Sequence, residues 1–211
     1  MFAIGHFAIG YLTGKSASKL LGVKVNLPLL FVASIIPDID LILQYVDPTL
    51  FMHRGPLHSI ITYTLVMIPF LIRYRKQVIP YYIALLSHSL IGDLFTGGFE
   101  MLWPISQRWF SIVGIDVRSL TSISLEIILL FISLVIMLKT KDLQTFFKPN
   151  NHNMFLFIAF GATLGPMLDL SQSFEGSLPA LLIIPSLFWL AIFSYSMIIE
   201  LYTKLTNTVP R

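Results

Sequence analysis

The sequence predicts an all-α, polytopic membrane protein: a transmembrane bundle of about six spanning helices plus a short N-terminal helix. Three observations lead there. Of the 211 residues, 55% are hydrophobic and 12% charged, about half the charged fraction of a soluble domain. The mean hydropathy is +0.80, and so few polar groups cannot cover a water-facing surface. The apolar residues also gather in runs near the ~20 residues that a helix needs to cross the hydrocarbon core. Finally, the basic residues sit in short clusters between those runs, as topology signals do.

Taken in order, residues 2–14 form a short first segment, a partial span or a re-entrant helix. Longer runs cover 27–46, 57–72, 78–95, 120–138, 154–170 and 178–203. Runs of about 16–18 residues imply bilayer thinning or packing against neighbours. The opening MFAIGHFAIGYLTGK has neither a basic n-region nor a small-residue cleavage site, so it reads as mature chain. With no repeat, low-complexity tract or soluble insertion, 1–211 is read as one membrane domain. Its motif-bearing half is 1–106, and 107–211 supplies additional transmembrane helices. Gly10-x-x-x-Gly14 and Gly161-x-x-x-Gly165 mark candidate close helix contacts.

The charges set an orientation. Lys15, Lys19, Lys24, Arg73, Arg75, Lys76, Lys139, Lys141, Lys148, Lys204 and Arg211 occupy alternate connections and therefore one side. Only Arg54, Arg108 and Arg118 fall on the other. The basic side is expected in the cytoplasm, which makes this a multi-pass protein of the cell's inner membrane. The acids run the other way. Asp38, Asp40, Asp47, Asp93, Glu100, Asp116, Glu126, Asp169 and Glu175 lie toward the outer side; of these Glu126, Asp169 and Glu175 are read as interfacial. Topology therefore accounts for the net charge of +3 without nucleic acid as a partner. His152, beside the basic connections, reads as a cytoplasmic loop residue, and Trp103 and Trp109 as interfacial aromatics. The absence of cysteine excludes disulfides, thiolate metal sites and a cysteine nucleophile.

Ionisable groups at membrane depth are costly, and they usually mark function. Here His6 opens the first segment, PDID places Asp38 and Asp40 in the second, HRGPLHS brings His53, Arg54 and His58 to the third, and SHSLIGD brings His88 and Asp93 to the end of the fourth. Threaded through the membrane, four sequence-distant clusters arrive at one outer level. A lone histidine or aspartate between helices is often only a hydrogen-bonding group. Convergence of imidazoles with carboxylates suits a divalent metal: zinc, or manganese or iron. Pro37 disfavours helix at Ile36, so PDID is expected at a break; in an extended stretch Asp38 and Asp40 would point the same way. Pro56 suits a first helical position, with His58 in the first turn and His53 and Arg54 in the loop before it. His88 and Asp93 are five apart, an awkward α-helical spacing, and Gly92 is placed to end or bulge the helix.

These motifs in this order, with the Gly-rich turn and Leu102 to Pro104 (LWP) after SHSLIGD, resemble the YdjM-like family over roughly residues 1–106. That family is described as membrane-bound metal-dependent hydrolases and is distantly similar to zinc-dependent phospholipase C proteins. The resemblance implies a metal-dependent hydrolase and names no substrate.

Two functions from different classes fit the residues. In a hydrolase, His6, Asp38, Asp40, His58, His88 and Asp93 would hold one or two ions. The metal would acidify a water and polarise the scissile ester. Arg54 would hold a phosphate or carboxylate, and His53 would act as general acid. An outer interfacial site favours membrane lipid or another amphiphilic or small-molecule substrate. The alternative is an ion-coupled transporter using the same cluster. It calls for polar groups through the membrane and an internal repeat, whereas the inner halves of the first segments offer chiefly Thr13, Ser34, Thr62 and Thr64. The orientation has a direct check. With Cys substituted for Arg75 in this cysteine-free chain, thiol reagents confined to the outside of intact cells should leave position 75 unlabelled; labelling from outside would invert the topology.

Overall fold

In the computed structural model, residues 1–168 and 178–208 are described. They form eight α-helices with no β-strand among them, only an isolated antiparallel bridge between Phe99 and Phe110. The expected all-α class holds. The helices begin where local chemistry supplies a start. Helix α1, Ala3–Leu21, closes on Gly22, which takes the left-handed conformation (φ +62°) and donates its N–H to the Lys19 carbonyl. The Asn26 side chain accepts the Leu29 N–H at 3.2 Å and caps α2, Leu27–Ile35, whose first turn holds Pro28. Ser59 caps α4, Ile60–Tyr74, by accepting the Ile61 N–H. Pro80 sits in the first turn of α5, Ile79–Ser87, and Ser119 caps α6, Leu120–Lys139. Between α2 and α4 comes the short α3, Asp40–Leu43. Helices α7, Leu156–Met167, and α8, Ala180–Thr208, follow α6.

Two of these helices, not about six, are unbroken and apolar enough to cross a membrane alone: Leu120–Lys139 and Ala180–Thr206. Hydropathy registers an apolar run whether or not one helix carries it. Run 27–46 breaks at Pro37 into α2, a 3₁₀ turn Ile36–Ile39 and α3. Run 78–95 changes from α to a π-helical segment, His88–Asp93. Run 57–72 becomes helical in earnest only after the 3₁₀ turn Pro56–His58. The first segment departs in the opposite sense. It is a 19-residue helix, and every residue from Ala3 to Tyr11 is buried. An apolar helical stretch buried all round belongs in the middle of a bundle, and α1 packs there against α2, α5 and α6. Phe7, Phe31, Phe146, Trp189 and Phe193 interlock beside it and tie α1 and α2 to α8. The outer faces of α6 and α8 expose large apolar side chains such as Ile128, Phe131, Ile184 and Ile198, as suits lipid.

The connections sort to two ends as the charge pattern requires. Lys15 Nζ lies 2.7 Å from Asp142 Oδ2, and Asn26 Nδ2 donates to Asn150 Oδ1 at 3.0 Å. That places 15–26 and 139–151 together, with half-buried His152 in the same polar patch. Gly22, Lys24, Lys76 and Gln77 line one cavity, which brings 73–77 to this end as well. At the opposite end Glu100 N–H donates to the Arg54 carbonyl at 2.9 Å, joining the 47–56 loop to the 96–119 stretch. Glu126 corrects an expectation. Its side chain is not interfacial but fully buried, and Oε1 accepts the Phe2 N–H at 3.0 Å. The start of α1 has N–H groups with no partner in the helix, and this carboxylate meets one of them. Asp169 and Glu175, also expected at the interface, lie outside the described residues.

The two glycine pairs part company. A Cβ on Gly10 would collide with the Ser34 side chain of α2, and one on Gly14 would lie 2.9 Å from the Pro80 carbonyl of α5. These are close helix contacts. Among the described residues, a Cβ on Gly161 would touch only Ile42 Cδ1 at 3.7 Å, and one on Gly165 would meet nothing within 4 Å. Gly10→Val should therefore lower stability by about 1–3 kcal/mol through overpacking, while Gly165→Ala stays within about 1 kcal/mol of wild type. Thermal unfolding of the purified variants in detergent measures both; equal tolerance at the two positions would contradict the packing.

Candidate metal centre

The expected site residues come together at one end of the bundle, and three backbone irregularities aim them. The 3₁₀ turn after Ile35 carries Asp38, and Asp40 follows it at the start of α3. The two carboxylates do not point the same way, as an extended stretch would make them. Asp38 Oδ1 lies 3.3 Å from Nε2 of both His58 and His88, whereas Asp40 Oδ2 lies 3.1 Å from His58 Nδ1 and its Oδ1 lies 2.9 Å from His53 Nδ1. The π-helical segment answers the five-residue spacing of SHSLIGD. With i to i+5 geometry, His88 and Asp93 share a face, His88 Nε2 3.5 Å from Asp93 Oδ2. Arg54 takes φ +64°, rare for a non-glycine residue. There its N–H reaches Asp40 Oδ2 (3.3 Å), its Nε lies 3.3 Å from Asp93 Oδ1, and its Nη1 donates to the Thr96 carbonyl at 2.5 Å.

Four atoms form the centre: Asp38 Oδ1, His58 Nε2, His88 Nε2 and Asp93 Oδ2. The two nitrogens are 3.1 Å apart, each lies 3.3 Å from Asp38 Oδ1, and each lies 3.5 Å from Asp93 Oδ2. All four side chains are buried, His58 wholly so. Their protonation follows from their other contacts. His88 Nδ1 lies 2.8 Å from the Ser34 carbonyl, which can only accept, so Nδ1 carries the proton and Nε2 presents a lone pair. Asp40 Oδ2 lies 3.1 Å from His58 Nδ1, where its charge favours a proton on that nitrogen. Asp93 Oδ2 has no hydrogen-bond donor. The lone pairs of His88 Nε2 and of the two carboxylate oxygens therefore meet the His58 ring away from water, an arrangement that a cation among them would stabilise. Ligands about 2.0 Å from a tetrahedral zinc stand about 3.3 Å apart, close to the 3.1–3.5 Å that separate the two nitrogens from each other and from either oxygen.

His6 and His53 flank this group. The His6 ring stacks on His88, centroids 3.7 Å apart, and Nδ1 has no hydrogen-bond partner. It also lies so close to Gly92 that a Cβ there would enter the ring. Ligating atoms of His6, His88 and Asp93 come within 4.8 Å of one another, as do those of Asp38, His53 and His58. Asp40 contacts histidine nitrogens rather than the centre. Ser34, Thr96 and Glu126 serve the site without having been singled out by the sequence. Ser34 and Thr96 act through backbone carbonyls, which leave no trace in residue type; Glu126 was visible as a carboxylate inside an apolar run.

Fold and site together define an all-helical protein, fit for a membrane, with a buried imidazole–carboxylate cluster at one end. The family model described as YdjM inner membrane protein matches residues 1–167, and the chain belongs to that family. The match runs past residue 106, through α6 and α7, so part of the second half belongs to the shared framework. No curated protein and no solved structure matches the chain.

Proposed function

We propose that the protein is a multi-pass, metal-dependent hydrolase of the inner membrane, with its site at the outer face and a lipid or other phosphoester as substrate. The observation that carries this reading is the convergence of His58 Nε2 and His88 Nε2 with carboxylate oxygens of Asp38 and Asp93 at one buried place. Asp38, His58, His88 and Asp93 would hold the ion. The donor set and spacing suit zinc; manganese and iron are the other ions that it suits. Bound there, a divalent ion supplies a Lewis acid beside the scissile ester and lowers the pKa of water.

The remaining roles belong to the chain's own groups. Asp40 and the Ser34 carbonyl fix the tautomers and ring orientations of His58 and His88. His53 and Arg54 line an outer cavity of about 320 Å³ with Gln44, Met52, Trp109 and Val117. Arg54, anchored to Asp93 and Thr96, turns its guanidinium edge to an anionic substrate group. His53, held by Asp40 through Nδ1, donates a proton to the leaving oxygen. Its place on the cavity wall gives it access to both solvent and substrate.

The test is a lipid and phosphoester hydrolysis panel, run with metal analysis and an ion-flux assay on the same preparation. Chelation should abolish hydrolysis, and added zinc or manganese should restore it. His88→Ala should lose bound metal and turnover together. Arg54→Ala should raise KM about tenfold or more, the scale of one charge-assisted hydrogen bond, and lose less metal than His88→Ala because Arg54 only braces the ligand Asp93. Gradient-coupled flux with no cleavage would overturn the hydrolase and leave the cluster as a transport site.

A further inference from the structure

A second cavity reaches the same cluster from the side. It measures about 460 Å³ and lies between α3 and α7. Leu41, Ile42, Tyr45, Ala162 and Leu164 form its walls, Gly161 and Gly165 leave it open, and Asp38 is its one charged residue. Ile42 and Tyr45 are more than half exposed along it, so it opens on the apolar flank of the bundle. Asp38 joins the two spaces. It lines this groove and contributes Oδ1 to the metal centre, whose other side carries Arg54 and His53 on the outer cavity. Small residues that open a groove instead of joining two helices fit what Gly161 and Gly165 were seen to do: neither is crowded.

Resting on the metal-dependent reading above, we infer that this groove is the chain-binding half of the site. The substrate is an anionic amphiphile whose apolar chain lies along Gly161 and Gly165 and whose head lies between Asp38 and Arg54. The charge order supports one occupant. An apolar trough ends at the ligand cluster, and the cationic Arg54 stands beyond it, matching a chain followed by an anionic head. Lipid tails are as apolar as the groove walls, so burial of the chain alone gives little selectivity in a membrane. Selectivity for this occupant comes from head and chain being held together.

Isothermal titration calorimetry on the full chain, zinc-loaded in amphipol, tests this with ethyl phosphate, hexadecyl phosphate and farnesyl phosphate as probes. The wild type should bind a long-chain probe at least about tenfold more tightly than ethyl phosphate. A preference for hexadecyl or for farnesyl phosphate says whether the groove takes an acyl-like or an isoprenoid chain. Gly161→Leu and Gly165→Leu, each filling the groove, should remove the long-chain advantage and leave ethyl phosphate affinity and bound zinc unchanged. Ile184→Phe, on the exposed face of α8, should change neither. A long-chain advantage that survives both glycine substitutions would mean ordinary lipid contact and overturn the inference, as would equal binding of all probes to the wild type. A chain that holds no zinc, yet loses its long-chain advantage in both glycine variants, keeps the groove and loses the metal reading.

Discussion

Two imidazole nitrogens 3.1 Å apart, with carboxylate oxygens 3.3 and 3.5 Å from each, crowd acceptors together wherever a nitrogen brings a lone pair instead of a proton. In water such a cluster would spread or protonate. Here it is buried, and three of its four members are braced from behind: His88 by the Ser34 carbonyl, His58 by Asp40, Asp93 by Arg54. Unpaired polar groups away from water are expensive, so the fold has to hold the cluster against its own repulsion unless a cation sits among its members. Much of the rest of the bundle serves that end. The buried helix α1 lays His6 on His88, and Glu126 on α6 secures the start of α1.

Three departures from regular helix meet at this point. A 3₁₀ turn at 36–39, a π-helical segment at 88–93 and the positive φ of Arg54 each change the direction of a side chain that faces the cluster. Irregular backbone at membrane depth is tolerated where its polar groups are met by protein. The 3₁₀ turn and the π-helical segment also divide two of the apolar stretches, and among the described residues α6 and α8 are the helices both long and apolar enough to cross on their own.

This explains what could be read from the sequence. That these residues would meet was legible because ionisable groups stand out against an apolar chain, and alternate helix directions brought His6, Asp38, His58 and His88 to one level. The sides of the connections were legible from the lysines and arginines, as the Lys15–Asp142 pair illustrates. Helix lengths were not, because Pro37 and the π segment interrupt helices without lowering hydropathy. The different duties of Asp38 and Asp40 depend on a 3₁₀ turn whose geometry the PDID motif does not state. Glu126 was misplaced because position along an apolar run was taken as depth, although the residue faces the exposed N–H groups of another helix. The pattern shared by the two glycine pairs hid two different uses, a close contact at Gly10 and Gly14 and an open groove at Gly161 and Gly165.

The central claim concerns four particular atoms, and X-ray absorption at the zinc edge reads them directly. In the zinc-loaded full chain, the account predicts one zinc per chain with four nitrogen and oxygen neighbours at about 2.0 Å, two of them imidazole. Zinc bound below stoichiometry, or six-coordinate zinc with only oxygen neighbours, would contradict it.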